Sequence, residues 1–220
     1  MGELLSAIGI LILPRSVLWR VLNLLGHDVS RDAKIGRSLL LCRKITLGRG
    51  ARLGHLTAVV GLTQLTMAQD AIIGNFNWIT GRMARERAQP GRGAATLQLH
   101  AASAISNRHY IDCNGGVMLG RFSTLAGVRS QIFSHSVDLR TNRQAFRRVV
   151  IGEYSFVGSG CILLPGAVLG GKSVLSAGSV LRAGTPLAGD CSLYSGNPAT
   201  FERHLDTQAR YFSRVAGVVE

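Results

Sequence analysis

From Ile151 onward the chain repeats every six residues: IGEYSF, VGSGCI, LLPGAV, LGGKSV, LSAGSV, LRAGTP, LAGDCS, LYSGNP. The first positions are Ile151, Val157, Leu163, Leu169, Leu175, Leu181, Leu187 and Leu193, all aliphatic. With roughly one aliphatic residue in three, chance would give such a run well under about one time in a thousand. The fifth positions are Ser155, Cys161, Ala167, Ser173, Ser179, Thr185, Cys191 and Asn197, all small. One large and one small inward residue in every six fits neither a helix nor a hairpin. It fits short strands joined by sharp turns, each strand stacked on its equivalents above and below.

The same period runs through Ile35, Leu41, Leu47, Leu53, Val59 and Leu65, slips by two, and resumes at Met67, Ile73 and Ile79. A weaker block follows at Ile105, Ile111, Leu119 and Leu125. Two Arg-rich stretches break the pattern, at about 81–96 and 136–149. In a solenoid such insertions become loops projecting from one face or corner. The spacing therefore predicts an all-β parallel solenoid over 31–198. Before it, residues 1–30 read as two short amphipathic helices around Pro14. After it, Phe201, Leu205, Ala209 and Phe212 stand at helical spacing and predict a C-terminal helix over 199–220.

The charge balance is 25 basic against 12 acidic residues. A surface of that sign attracts phosphates, anionic lipid or nucleic acid. Nucleic acid is set aside because no helix-turn-helix, zinc or aromatic RNA-binding signature accompanies the charge. Cys42, Cys113, Cys161 and Cys191 form no CxxC pair, so no structural zinc is expected. They read as small core residues of a protein in a reducing, cytoplasmic setting. Leu4 to Leu25 is interrupted by Pro14, Arg15 and Arg20 and is too broken for a transmembrane span. It also lacks the basic start and small-residue cleavage site of a signal peptide. Two readings stand: these helices lie on a membrane surface, at the cytoplasmic face of an inner membrane, or they cap the solenoid.

The repeat resembles that of the hexapeptide-repeat acyltransferase superfamily, over roughly Ile35 to Ala199. The resemblance implies a left-handed parallel β-helix of triangular section and a homotrimer with active sites between subunits. ISNRHYIDCNGGVMLGRFSTLAGVRSQIFSHSVDL is similar to the active-site region of sugar O-acetyltransferases of the maltose and galactoside type, and polysaccharide-modifying members look at least as similar. SAGSVLRAG and SGNPATF are similar to the segments that line the family's coenzyme A site. The chain departs from the pattern at His109, where the family usually has Asn, and at Phe156, which takes the place of its Trp.

The resemblance implies transfer of an acetyl group from acetyl-coenzyme A to a carbohydrate hydroxyl, with no metal. His135 falls at the catalytic position, where an imidazole would take the hydroxyl proton. Asp138, three residues on, is the candidate to orient it; a loop-capping role fits Asp138 as well. His109 is a further catalytic candidate and Asn107 a substrate-binding one, with a buried hydrogen-bonded strand role as the alternative. Phe156, Ser159, Ala177, Arg182 and Arg203 are implied for coenzyme A. Small residues admit the pantetheine arm, and arginines bind phosphate. The alternatives are an amine or serine hydroxyl as acceptor, and a non-catalytic or metal-binding β-helix scaffold. The absence of a Walker A or a dinucleotide-binding glycine motif argues against nucleotide hydrolysis and redox chemistry.

Overall fold

The computed structural model describes residues 2–82 and 95–217. They form a left-handed parallel β-helix preceded by two α-helices. Each turn of the solenoid contributes a strand to each of three faces. Lys34–Ile35, Arg52–Leu53, Ile72–Ile73, Ala104–Ile105, Thr124–Leu125, Phe156–Val157 and Val174–Leu175 stack in parallel as the first face. Trp78–Thr80, Tyr110–Asp112, Gln131–Ile132, Ile162–Leu163 and Val180–Leu181 build the second. Thr96–Leu99, Val117–Leu119, Val149–Ile151 and Val168–Leu169 build the third. In the first turns Leu39–Leu47 and Ala58–Met67 run through both of the latter faces.

The repeat explains the packing. Val157, Leu163, Leu169, Leu175 and Leu181 point inward and are buried. The small fifth position sits inside each corner, where only a compact side chain fits, and a hydroxyl there links neighbouring turns. Ser130 Oγ donates to the Gly158 carbonyl (3.0 Å) and accepts from the Cys161 N–H (3.2 Å). Ser155 does the same between Gly170 O and Ser173 N. These bonds satisfy corner backbone groups that no strand ladder reaches.

The period fails near its end. Leu187 is 55% exposed. Leu175 pairs with Tyr194 rather than Leu193, so one extra residue between them shifts the phase, and Tyr194 takes the buried place.

Helices α1 (Gly2–Ile12) and α2 (Arg15–Leu24) break at Pro14 and cover the first turn of the solenoid. Ala7, Ile10, Leu18 and Leu22 are buried there. His27 ties α1 down. Its Nδ1 accepts the Ile45 N–H (3.2 Å) and its Nε2 meets Ser6 Oγ at 2.7 Å.

The C-terminal segment is not the expected helix. Ala199–His204 is a strand, antiparallel to Ser192–Gly196, followed by a single 3-10 turn at Arg210–Ser213; residues 218–220 lie outside the described residues. The open edge of Ser192–Gly196 offers unpaired backbone groups, and pairing with it prevails over the helical spacing. Of the four residues at that spacing only Phe212 is buried. Beyond the turn the chain lies back on the first face. Arg214 stacks 3.8 Å over Tyr211, and Tyr211 meets Phe156 edge-on at 5.8 Å.

Candidate active site

Both Arg-rich insertions leave the solenoid at one corner, between the second and third faces. The first follows Trp78–Thr80, and most of it, 83–94, lies outside the described residues. The second is a hairpin of His135–Asp138 against Arg143–Phe146. Between them, in the intervening turn, the second face ends at Asp112.

Asp112 is fully buried and its carboxylate is crowded with donors. Oδ2 accepts the Ser134 N–H (3.0 Å) and faces His135 Nδ1 at 2.5 Å. Oδ1 accepts the Asn114 N–H (3.1 Å) and its side-chain amide (2.5 Å). Ser134 Oγ in turn accepts the Gly115 N–H and donates to Asp112 O, locking the two turns together. The approach is so close that a Cβ on Gly115 would lie 2.3 Å from Ser134 O. A carboxylate only accepts, so the proton of the shared bond sits on Nδ1. That fixes the tautomer and leaves Nε2 of His135 with a free lone pair. The ring is 35% exposed at the mouth of the corner and stacks against Phe146, its partner in the hairpin register (6.4 Å). The arrangement is an imidazole oriented by a buried carboxylate, a geometry that can accept a proton at Nε2.

Asp138 is not in this cluster. It stands at the far end of the hairpin strand, exposed, and its Oδ1 accepts the N–H groups of Arg140 (2.9 Å) and Thr141 (3.3 Å). Asp112, the residue that does contact His135, is not marked by the motif, because it lies 23 positions upstream. The stacking register supplied a signal: Ile111 pairs with Ile132, so Asp112 must neighbour the start of the hairpin.

His109 and Asn107 belong to a different corner, between the first and second faces. His109 is closed inside it. Its Nδ1 accepts the Ser130 N–H (3.1 Å) and its Nε2 meets Ser106 Oγ (2.9 Å). Burial lowers its pKa to about 4. Asn107 is exposed on the same corner, its Oδ1 accepting the Asn75 N–H (2.7 Å).

Ser159 and Ala177 are exposed on this corner too, one turn apart, with Gly178 N–H donating to Ser159 O. Ser159 Oγ accepts the Val128 N–H (3.3 Å). No atom would obstruct a Cβ at Gly160 or Gly178, so the backbone here is open to a close-lying extended ligand. Phe156 lies on the neighbouring first face against Tyr211. Arg182 is exposed on the His135 corner, two turns beyond the hairpin, and Arg203 is exposed on Ala199–His204.

Among the described residues no group of His, Cys, Asp and Glu has the arrangement of a metal site. Cys113 directly follows Asp112, but burial, with Asp112 and Cys42 adding to it, pushes its thiol well above the usual range. It stays protonated at neutral pH and is a poor nucleophile.

The polysialic acid O-acetyltransferase OatWY superposes with a TM-score of 0.52, at 14% identity over 84% of this chain and 90% of that one. A variant of AntD, an N-acyltransferase from Bacillus cereus in complex with dTDP-4-amino-4,6-dideoxyglucose and coenzyme A, gives 0.51 at 12% identity over 82% and 87%. The fold is that of the hexapeptide-repeat acyltransferases. A hexapeptide transferase family protein from Anaplasma phagocytophilum also matches, with a TM-score of 0.45 at 16% identity over 85% of each chain. At these identities the hexapeptide-repeat likeness is one of fold. No family model matches the sequence, and no curated protein matches it.

Proposed function

We propose that this chain transfers an acetyl group from acetyl-coenzyme A to a hydroxyl of a carbohydrate, such as a polysaccharide or glycolipid precursor. The observation that carries the reading is the Asp112–His135 pair, which presents Nε2 as a base at the mouth of a corner. A hydroxyl is a poor nucleophile at neutral pH. As its oxygen attacks the thioester carbonyl, Nε2 takes its proton. When the C–S bond breaks, the imidazolium returns that proton to the departing thiolate. Asp112 stabilises the charged ring in between. No covalent enzyme intermediate is required.

Ser159 and Ala177 form the corner on which the pantetheine arm would lie, with Arg182 and Arg203 as the phosphate-binding candidates. Within one chain that corner and His135 are a face apart. A homotrimer, in which the His135 corner of one subunit meets the Ser159 corner of the next, brings them together, and the active site is then shared.

Support for acyl transfer comes from the fold shared with OatWY and AntD. AntD acts as an N-acyltransferase, so an amine acceptor is the second reading. The test follows thiol release from acetyl-coenzyme A against a panel of neutral, acidic and amino sugars. Hydroxylamine then cleaves an ester product and leaves an amide intact. Ester formation supports O-transfer; amide formation replaces it with N-transfer; no acceptor-dependent release overturns both.

A further inference from the structure

Helix α1 is apolar on both sides. One side, with Ala7 and Ile10, is buried on the solenoid. The other carries Leu4, Leu5, Ile8, Leu11 and Ile12, spaced as one continuous helical stripe, and all five are exposed, Leu4 at 60% and Ile12 at 70%. A helix that is apolar all round is ordinarily covered on all sides. Here Ser6–His27 and Arg37, whose guanidinium bonds to the carbonyls of Ile10, Leu11 and Leu13, hold the helix in place and keep the stripe facing outward. Capping the solenoid therefore occupies only half of α1.

The surroundings of the other half are basic. Residues 1–52 hold nine Lys and Arg against three Asp and Glu. Arg37 places one of those cations at the end of the stripe, next to Ile12, and exposed Arg20 stacks on Trp19 in α2. An apolar stripe with Arg37 at its C-terminal end, in a basic N-terminal region, matches the interface of an anionic bilayer, where acyl chains meet phosphate headgroups. At 11 residues α1 is far too short to span. Among the described residues no helix is long and apolar enough to cross a membrane.

We propose that the exposed stripe of α1 docks this protein, peripherally, on an anionic lipid surface. The proposal is independent of the chemistry at His135. The experiment is co-sedimentation of the full chain with vesicles of phosphatidylcholine alone or with about one third phosphatidylglycerol, at low and high salt. Binding is expected to the anionic vesicles, weakening at high salt because screening acts on the exposed cations. The triple variant Leu5→Gln, Ile8→Gln, Ile12→Gln leaves Ala7 and Ile10 in place. It should keep the wild-type melting temperature and lose at least about tenfold in vesicle affinity. Absence of wild-type binding overturns the proposal, as does equal binding of the triple variant. Equal binding to neutral vesicles removes the anionic requirement and overturns it in this form. If instead the triple variant changes only the oligomeric state in sedimentation velocity, the stripe is covered by a second copy of the chain and lipid docking is overturned.

Discussion

Asp112 Oδ2 lies 2.5 Å from His135 Nδ1, although 23 residues separate the two in sequence. The contact is vertical, from one turn of the solenoid to the next, and it makes the histidine's tautomer a property of the scaffold. His135→Ala should lower turnover by roughly two or more orders of magnitude with the melting temperature unchanged. Asp112→Asn should cost about 100-fold or more, because an amide can donate to Nδ1 and move the proton to Nε2. Thiol-release kinetics on folded variants check both. Normal turnover in either removes that residue from the mechanism.

Asp138 should behave differently. Its carboxylate caps the hairpin turn through Arg140 and Thr141. Asp138→Asn should leave turnover within about threefold of wild type, a loss of well under 1 kcal/mol in the barrier. A fall matching that of Asp112→Asn would restore Asp138 to the reaction.

A shared active site predicts complementation. His135→Ala chains lack the base but keep the corner at Ala177; Ala177→Trp chains keep the base and block the corner. In a cyclic trimer containing both, one interface joins an intact His135 to an intact corner. Equal, random mixing should recover about a quarter of wild-type activity from two inactive proteins. If base and corner instead serve one another within a single chain, mixing recovers nothing.

What the sequence made legible follows from the period. Ile151 to Leu181 lie inside the solenoid where the count of six puts them, because an aliphatic side chain must fill each face and only a small one fits each corner. The count cannot see a one-residue insertion, so it places Leu187 and Leu193 inside where the fold exposes Leu187 and buries Tyr194. Nor does it see the edge of Ser192–Gly196, which draws Ala199–His204 into a strand despite helical spacing. The candidate site was half legible. His135 stands out through its motif, but the motif points along the chain to Asp138, whereas in a solenoid a neighbour lies about one turn away.

The residues proposed for coenzyme A are tested by charge. Arg182 stands exposed on the His135 corner. If it contacts the 3′-phosphate, Arg182→Ala should weaken binding of coenzyme A by about 1–3 kcal/mol and that of the dephosphorylated analogue much less. Calorimetric titration with both ligands separates the outcomes. Equal losses would show that Arg182 does not read that phosphate.

His109 makes stability depend on pH. In the folded chain its pKa is lowered to about 4, chiefly by burial, from an ordinary value of 6.5. Nδ1 accepts a backbone N–H from Ser130 and has no room for a proton. Below about pH 6.5 the unfolded chain therefore binds a proton that the folded chain refuses. The stabilisation is complete above that pH and is lost progressively as pH falls toward 4. His27, also lowered by burial and by Lys44, acts in the same direction at the α1 contact. Denaturant unfolding between pH 7.5 and 4.5 should show stability falling with pH through this window. His109→Asn preserves an acceptor near the Nδ1 position without a titrating group. That variant should start less stable at pH 7.5, since the contact between Nε2 and Ser106 Oγ is lost, and should show a shallower fall. The slope is the decisive quantity: an undiminished slope in His109→Asn would assign the pH dependence to groups other than His109.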